Sequence, residues 1–378
     1  MGPIKRSGSL TRFFPRKSLD KTLSLEALKD AVLKGAFVER SLDIGETNPG
    51  WALHGNEMST KFDLLNTYIA GYAIFSLRID RLHIDQTVMK MRFNSMLASY
   101  DGPVSVAERA EIKEAVLKQM AGESQLTSKI HTVIVDKKGE QVFFSGSSDS
   151  DKDTFYQLFS KCFGIDLLEA NAPHMAFKEL GDDGDFDKVL DDPASDFHGL
   201  ELEIHPEFED GLEGKLGSSF LTWLFYKANT SGEIDGLDFQ FMAEDPISFA
   251  GESLGTKKVT LSGGLISKSL EMKAALGSGK RVSEMKLTMA QTISTDDDER
   301  EDVNVSVCLD KTQMKFSKYK IPKPGVHDQY GKTIECLEAL TGIAGMVDEL
   351  FAEFIRIRYT SGEWEQERGK AIQWIESL

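Results

Sequence analysis

Long hydrophobic runs and cysteines are both scarce in this sequence. No segment approaches the roughly 18 apolar residues of a membrane-spanning helix, and no apolar stretch follows the basic residues near the start. We therefore expect neither a membrane protein nor a secretory signal. The three cysteines, Cys162, Cys308 and Cys336, are odd in number and far apart. They predict buried free thiols in a reducing cytoplasm rather than a disulfide framework.

The residue patterns required by metal, nucleotide and hydrolase chemistry are also missing. The seven histidines are dispersed, and none has the paired helical spacing of zinc enzymes. Gly279-Lys280 lacks the flanking residues of a phosphate loop, and no G-x-S-x-G elbow is present. The acidic run from Asp182 fails the calcium-loop pattern, because its twelfth position is Pro193. We expect no enzymatic activity, no metal and no cofactor.

Acidic residues outnumber basic ones, but they are concentrated in two places. The net charge of the 378-residue chain is −17. Residues 179–213 carry −13 of it and residues 296–302 carry −5, so everything else sums to about +1. A strongly acidic protein would repel nucleic acid. Because the acidity is local, the remaining body is neutral enough to carry a basic face.

The order of the predicted elements is that of an α+β protein with mixed antiparallel sheets. Apolar alternation predicts strands at 9–14, 72–79, 129–136, 141–144, 237–242, 257–262, 286–293, 303–309 and 314–320. Helical spacing and caps predict helices at 25–33, 85–99, 105–120, 151–163, 220–226, 269–276, 333–359 and 362–377. The strand at 72–79 should bury one face, and Gly122 should stop the third helix. Without regular βαβ alternation, a doubly wound sheet is excluded.

The acidic stretch suggests where the chain divides. We predict an N-terminal α+β domain at 1–174, an acidic linker at 175–214 and a C-terminal α+β domain at 215–378 that ends in long helices. The second acidic run lies between two predicted strands and should form a solvated hairpin tip.

Basic residues offer the best functional lead. Dispersed lysines and arginines suit contact with a phosphate backbone without reading of base sequence, although a solvated helix face carries the same residues. Some lie on the helices and strand between 85 and 129, and others in the C-terminal part. The candidate DNA-binding residues are Lys90, Arg92, Arg109, Lys113, Lys118, Lys129, Lys257, Lys258, Lys280 and Arg281.

Several segments together resemble the RdgC-like recombination-associated proteins of bacteria, in their longer form with a C-terminal extension. The resemblance covers almost the whole chain outside the acidic linker, and it rests on the order and spacing of the segments. They are 9–13, Gly50-Trp51, 70–80, Phe220-Leu221-Thr222-Trp223-Leu224, Gly279-Lys280-Arg281-Val282 and Trp364…Ile372…Trp374-Ile375.

The resemblance implies a cytoplasmic, nucleoid-associated homodimer that closes as a ring around double-stranded DNA. Such a protein binds without strong sequence preference, restrains RecA-type recombination and has no catalytic activity. It also implies that the helices between 85 and 129 form a projecting finger. Here the chain departs from the family pattern, because residues 101–105 and 122–126 stand where the family often has basic or aromatic residues.

Two other functions remain open from the residues. A protein-interaction module of the same fold would have lost DNA binding and would act through its acidic segments against a basic partner. A metal-dependent nuclease would need the carboxylates of 296–298. That second reading is disfavoured, because neighbours on an extended strand point to opposite sides.

Overall fold

A computed structural model describes the chain over residues 4–17, 19, 25–59, 61–62, 67–100, 102–123, 125–181, 187–190, 211–251, 257–263, 269–294 and 300–377. Its strands are β1 (Ser7–Pro15), β2 (Thr47–Ala52), β3 (Tyr68–Ile69), β4 (Tyr72–Leu82), β5 (Leu126–Val135), β6 (Val142–Phe144), β7 (Leu167–Glu169), β8 (Gln240–Ala250), β9 (Lys258–Leu261), β10 (Arg281–Ser294), β11 (Arg300–Asp310) and β12 (Phe316–Lys320). Its helices are α1 (Leu25–Lys34), α2 (Gln86–Ala98), α3 (Val106–Glu123), α4 (Asp149–Phe163), α5 (Ala172–Leu180), α6 (Asp187–Leu190), α7 (Leu212–Thr230), α8 (Leu270–Gly277), α9 (Gln329–Ile355) and α10 (Trp364–Ser377), with a π-helical turn at Arg356–Thr360. The α+β class is confirmed.

The elements group into two compact units. The first contains Lys17–Gly139 and Ser148–Asp166, and the second contains Pro3–Arg16, Glu140–Ser147 and Leu167–Leu378. This division differs from the predicted boundaries of 1–174 and 215–378. The physical reason is that β1, near the start of the chain, pairs with β12, near its end. A pairing across such a sequence separation cannot be read from composition.

The first unit is built on an antiparallel sheet in which β4 pairs with β2, β3 and β5. Helix α4 begins at the N-cap Ser148 and ends at Gly164, whose left-handed φ of 67° suits glycine. The core surrounds Trp51, which is fully buried. Its ring lies edge-on to Phe75, with 5.0 Å between the ring centroids. The Gly50-Trp51 pair is therefore part of the packing framework.

Strand β4 corrects one prediction, because both of its faces are buried from Tyr72 to Asp80. The polar side chains on the second face are satisfied inside the protein. Arg78 donates to Asp80 at 2.7 Å, and its guanidinium lies 4.2 Å from the ring centre of Phe37. Alternation alone predicted a solvated face, since it does not reveal an internal ion pair.

The second unit contains the larger sheet, in the order β6-β1-β12-β11-β10-β8-β9, with β7 also pairing with β1. Helix α7 packs on β10. It is buried almost throughout from Leu216 to Tyr226, as predicted for its apolar block. The Phe220 ring lies 5.0 Å from that of Phe351 in α9. The aromatic block is a packing element between sheet and helices.

Several predicted element boundaries differ from the observed ones. Helix α3 continues through Gly122 to Glu123, because one glycine near a helix end costs only about 1 kcal/mol. Helix α7 begins at Leu212, with Gly211 as its N-cap, rather than at the predicted residue 220. Strand β8 continues to Ala250 through Pro246, beyond the predicted 242.

The hairpin at the second acidic run is confirmed in its strands, since Ser294 pairs with Arg300. The predicted tip was the acidic run 296–302, but Arg300–Asp302 belong to β11. Residues 295–299 and most of the segment 179–213 lie outside the described residues. Among the described helices, none combines the length and the apolar character needed to cross a membrane.

Candidate nucleic-acid interface

Helices α2 and α3, the predicted finger, pack against each other. Ile112, Val116 and Met120 of α3 form a small buried cluster, and Val88 and Phe93 of α2 pack against it. Helix α2 itself has no buried residue. The pair therefore has an apolar cluster of its own, and its exposed residues include Lys90, Arg109 and Lys113.

Both helices are capped by a side chain at the start. The Asp85 carboxylate accepts the backbone N–H groups of Thr87 at 2.8 Å and Val88 at 3.1 Å. Those backbone hydrogen bonds, from Val88 and then Thr87, hold the pKa of Asp85 below its ordinary value. Ser105 and Glu108 form the reciprocal capping box, with distances of 2.8 and 3.3 Å.

The predicted basic residues of α2 and α3 differ in availability. Lys90, Arg109 and Lys113 are exposed, and no ion pair joins them to another residue of the described chain. Lys118 pairs with Glu114 at 2.9 Å. Arg92 is half-buried. The same helices also carry carboxylates, so their basic character is confined to a few side chains: Glu108, Glu111, Glu114 and Glu123.

Lys129 forms an ion pair within the first unit. Its ammonium lies 2.7 Å from a carboxylate oxygen of Asp151, and His131 lies 3.4 Å from the same oxygen. Burial alone would raise the pKa of Asp151, but the hydrogen bonds from Lys129 and Ser148 outweigh it and lower that pKa. Burial lowers the pKa of His131, although Asp151 opposes this effect.

This cluster predicts acid sensitivity of the first unit. The pKa of His131 is lower in the folded state than its ordinary value of 6.5, so the unfolded chain takes up the proton at a higher pH than the folded one. The free energy of unfolding therefore falls as the pH drops below 6.5. The lowered pKa of Asp151 acts in the same direction at lower pH, as its carboxylate is protonated. His131→Gln should flatten the loss of unfolding free energy between about pH 7.5 and 5.5. Urea unfolding followed by tryptophan fluorescence measures it.

The control for this experiment is His327→Gln, which changes an exposed histidine. That variant should keep the wild-type pH profile. An unchanged profile in His131→Gln would contradict the assignment.

The predicted basic residues of the second unit differ in how exposed they are. Lys257 and Lys258 are exposed, and Lys258 lies 3.5 Å from Glu284. Lys280 is only 8% exposed, and its ammonium donates to Ser278 at 3.0 Å. Arg281 is half-buried. Burial of Lys280 leaves Lys257 and Lys258 as the accessible members of this group.

Exposed basic residues outside the predicted set also lie in the second unit. Lys5, Lys318 and Lys320 are exposed. Their signal in the sequence is the absence of carboxylates, since 1–19 and 311–327 contain no Asp or Glu.

Two further observations concern metal ions and small ligands. Within the residues that the structure describes, no group of His, Cys, Asp or Glu could hold a metal ion. A depression of about 500 Å³ in the second unit is lined by Glu233, Asp235 and Asp238, which suits no phosphate. No protein-family model matches the chain, and no curated protein matches it either.

Proposed function

We propose that this protein binds double-stranded DNA through its phosphate backbone, without reading base sequence. The observation that carries the proposal is the set of exposed, unpaired cations on the helical pair α2–α3, namely Lys90, Arg109 and Lys113. Because these side chains form no ion pair within the protein, binding a phosphate does not require an existing ion pair to break. Each such contact releases condensed counterions, which favours binding.

The resemblance to RdgC-like proteins supplies the wider part of the proposal. In that assignment the protein is a cytoplasmic, nucleoid-associated homodimer that restrains a RecA-type recombinase, and α2–α3 is the projecting finger. Two features support it. Trp51 and the Phe220–Trp223 segment, which carry the resemblance, occupy fully or nearly fully buried positions in the two units. The residues that a shared fold would need for packing are therefore used for packing here.

The first experiment measures salt-dependent DNA affinity. The variant Lys90→Gln/Arg109→Gln/Lys113→Gln should bind a fluorescent duplex more weakly than wild type in anisotropy titrations between about 50 and 200 mM salt. The slope of log affinity against log salt should fall by roughly 0.9 for each phosphate that the variant no longer neutralises. Binding to unrelated duplex sequences should fall equally, because phosphate contacts carry no sequence information.

A matched variant separates local contacts from overall charge. Lys29→Gln/Lys161→Gln/Lys370→Gln removes three exposed cations from α1, α4 and α10 and should retain nearly the wild-type slope. Equal losses in both triple variants would refute the assignment of DNA binding to α2–α3. If wild-type protein binds no duplex at about 50 mM salt, the DNA-binding proposal is wrong, and the protein-interaction alternative through the acidic segments takes its place.

A further inference from the structure

The two stretches that lack carboxylates become neighbours in the fold. Residues 1–19 and 311–327 each contain five Lys or Arg, in a chain whose net charge is −17. Their strands, β1 and β12, pair antiparallel in the second unit, with Ser7 opposite Lys320. The Tyr319 hydroxyl donates to the backbone carbonyl of Lys5 at 2.8 Å. The strand pairing therefore concentrates positive charge that is dispersed along the sequence.

Strand β12 carries a bulge at this place. Ser306 and Cys308 of β11 pair with Lys320 and Ser317, so β12 has one more residue than its partner over this interval. The extra residue accompanies Lys318, whose φ is 50°. A lysine in the left-handed region is strained, because its Cβ crowds the backbone there. Bulges of this kind re-aim side chains, and non-glycine residues kept in such conformations concentrate at functional positions.

The lysines at the bulge differ from other lysines of the same sheet. Lys286 pairs with Glu244, and Lys258 lies 3.5 Å from Glu284. Lys5, Lys318 and Lys320 are exposed, and no hydrogen bond or ion pair engages their ammonium groups within the described ranges. Lys258 and Lys286 therefore each have a carboxylate nearby, whereas Lys5, Lys318 and Lys320 have no carboxylate partner among the described residues.

We propose that Lys5, Lys318 and Lys320 form a second contact surface for the phosphate backbone of nucleic acid, which we call the β1–β12 surface. The inference rests on the proposed DNA binding and adds a contact in the other compact unit. A polyanion fits better than a small anion, because the exposed lysines lie on β12 and just before β1, and not around an enclosed cavity. Neighbouring strands are about 4.8 Å apart, so flexible lysine side chains can reach successive phosphates.

A substitution at the bulge is expected to lower DNA affinity without lowering thermal stability. Lys318→Gly removes one charge and also relieves the left-handed backbone strain, because glycine adopts positive φ readily. The variant should therefore keep or raise the thermal midpoint while binding duplex DNA more weakly. If Lys318 makes no contact with DNA, Lys318→Gly should change the thermal midpoint without weakening DNA binding.

The full experiment uses the intact chain and the variant Lys5→Gln/Lys318→Gly/Lys320→Gln, with the same fluorescent duplex and the same range of salt. We expect weaker binding and a salt slope lower by roughly 0.9 for each phosphate that is no longer neutralised. The triple variant of Lys29, Lys161 and Lys370 is the control for net charge. Circular dichroism and the thermal midpoint establish that the variant is folded.

The outcomes separate this inference from the proposed function. Wild-type affinity and slope in the folded β1–β12 variant would overturn the second surface, while a loss in the α2–α3 variant alone would keep DNA binding. A loss in the β1–β12 variant alone would support the second surface and refute the assignment to α2–α3. A wild-type protein that binds no duplex overturns both.

Discussion

Gly217→Ala is expected to unfold the second unit or to lower its stability severely. Gly217 lies in α7, where an added Cβ would stand 1.8 Å from the backbone carbonyl oxygen of Lys311. A backbone atom cannot rotate away as a side chain can, so helix and sheet would have to separate. We expect a loss of more than about 3 kcal/mol, beyond the usual cost of overpacking. Chemical denaturation and soluble yield measure it.

The matched control is Gly342→Ala in α9. An added Cβ at Gly342 meets no atom within 4 Å, and the residue is exposed in the interior of a helix. There alanine should stabilise by about 0.5–1 kcal/mol, because it has the higher helix propensity. Similar behaviour of the two variants would show that the contact between α7 and Lys311 does not constrain the fold.

Arg12→Met should cost about 3 kcal/mol or more, the magnitude seen when one partner of a buried ion pair is removed. Arg12 is fully buried in β1. Its guanidinium lies 2.5 Å from Asp348 and donates to Gln141 at 3.1 Å. It also lies 4.8 Å from the ring centre of Phe316. Methionine fills much of the volume but leaves the Asp348 carboxylate without its cation.

Two further variants serve as comparisons for Arg12→Met. Arg12→Met/Asp348→Asn should be more stable than Arg12→Met, because the uncompensated charge is gone. Arg356→Met should cost within about 1 kcal/mol, since Arg356 is 49% exposed where it pairs with Glu353. Equal costs for the Arg12 and Arg356 variants would mean that the Arg12 network adds nothing beyond a surface ion pair. Unfolding by urea, followed by circular dichroism, compares all three.

Both positions support the surface proposed for nucleic acid. Arg12 anchors β1 to Asp348 of α9, and Gly217 permits α7 to approach Lys311 in the connection between β11 and β12. Partial destabilisation at either position should therefore reduce DNA affinity by loosening the β1–β12 pair. The charge variants at Lys5, Lys318 and Lys320 should reduce affinity without loss of stability. The two sets of variants thus distinguish support of the surface from contact with DNA.

Local features of the fold were predictable from the sequence because their causes are local. The capping box at Ser105 and Glu108, the glycine C-cap at Gly164 and the burial of Phe220 and Trp223 all follow from residues close in the chain. The π-helical turn at Arg356–Thr360, between α9 and α10, was not predicted, because helical spacing does not distinguish it from an ordinary α-helical turn.

The candidate site was less predictable, because availability of a cation depends on distant partners. Lys129 and Lys113 look alike in sequence, yet Lys129 is held by Asp151 at 2.7 Å, whereas Lys113 is exposed. Lys280 looked like a surface residue beside Gly279 and is only 8% exposed. Lys318 was not among the candidate DNA-binding residues, because its strand bulge arises from pairing with both neighbouring strands and cannot be read from the sequence.

By itself the sequence determined the α+β class, most of the helices and strands, the local character of the acidity and the buried role of the aromatic block. Periodicity, capping and composition depend on residues that are close in the chain, so they can be recognised from the sequence. Tertiary structure alone decided that β1 joins the C-terminal strands, that Arg12 pairs with Asp348, and that the exposed Lys318 and Lys320 lie on the strand paired with β1. These pairings join residues that are hundreds of positions apart in the chain, so no local pattern encodes them.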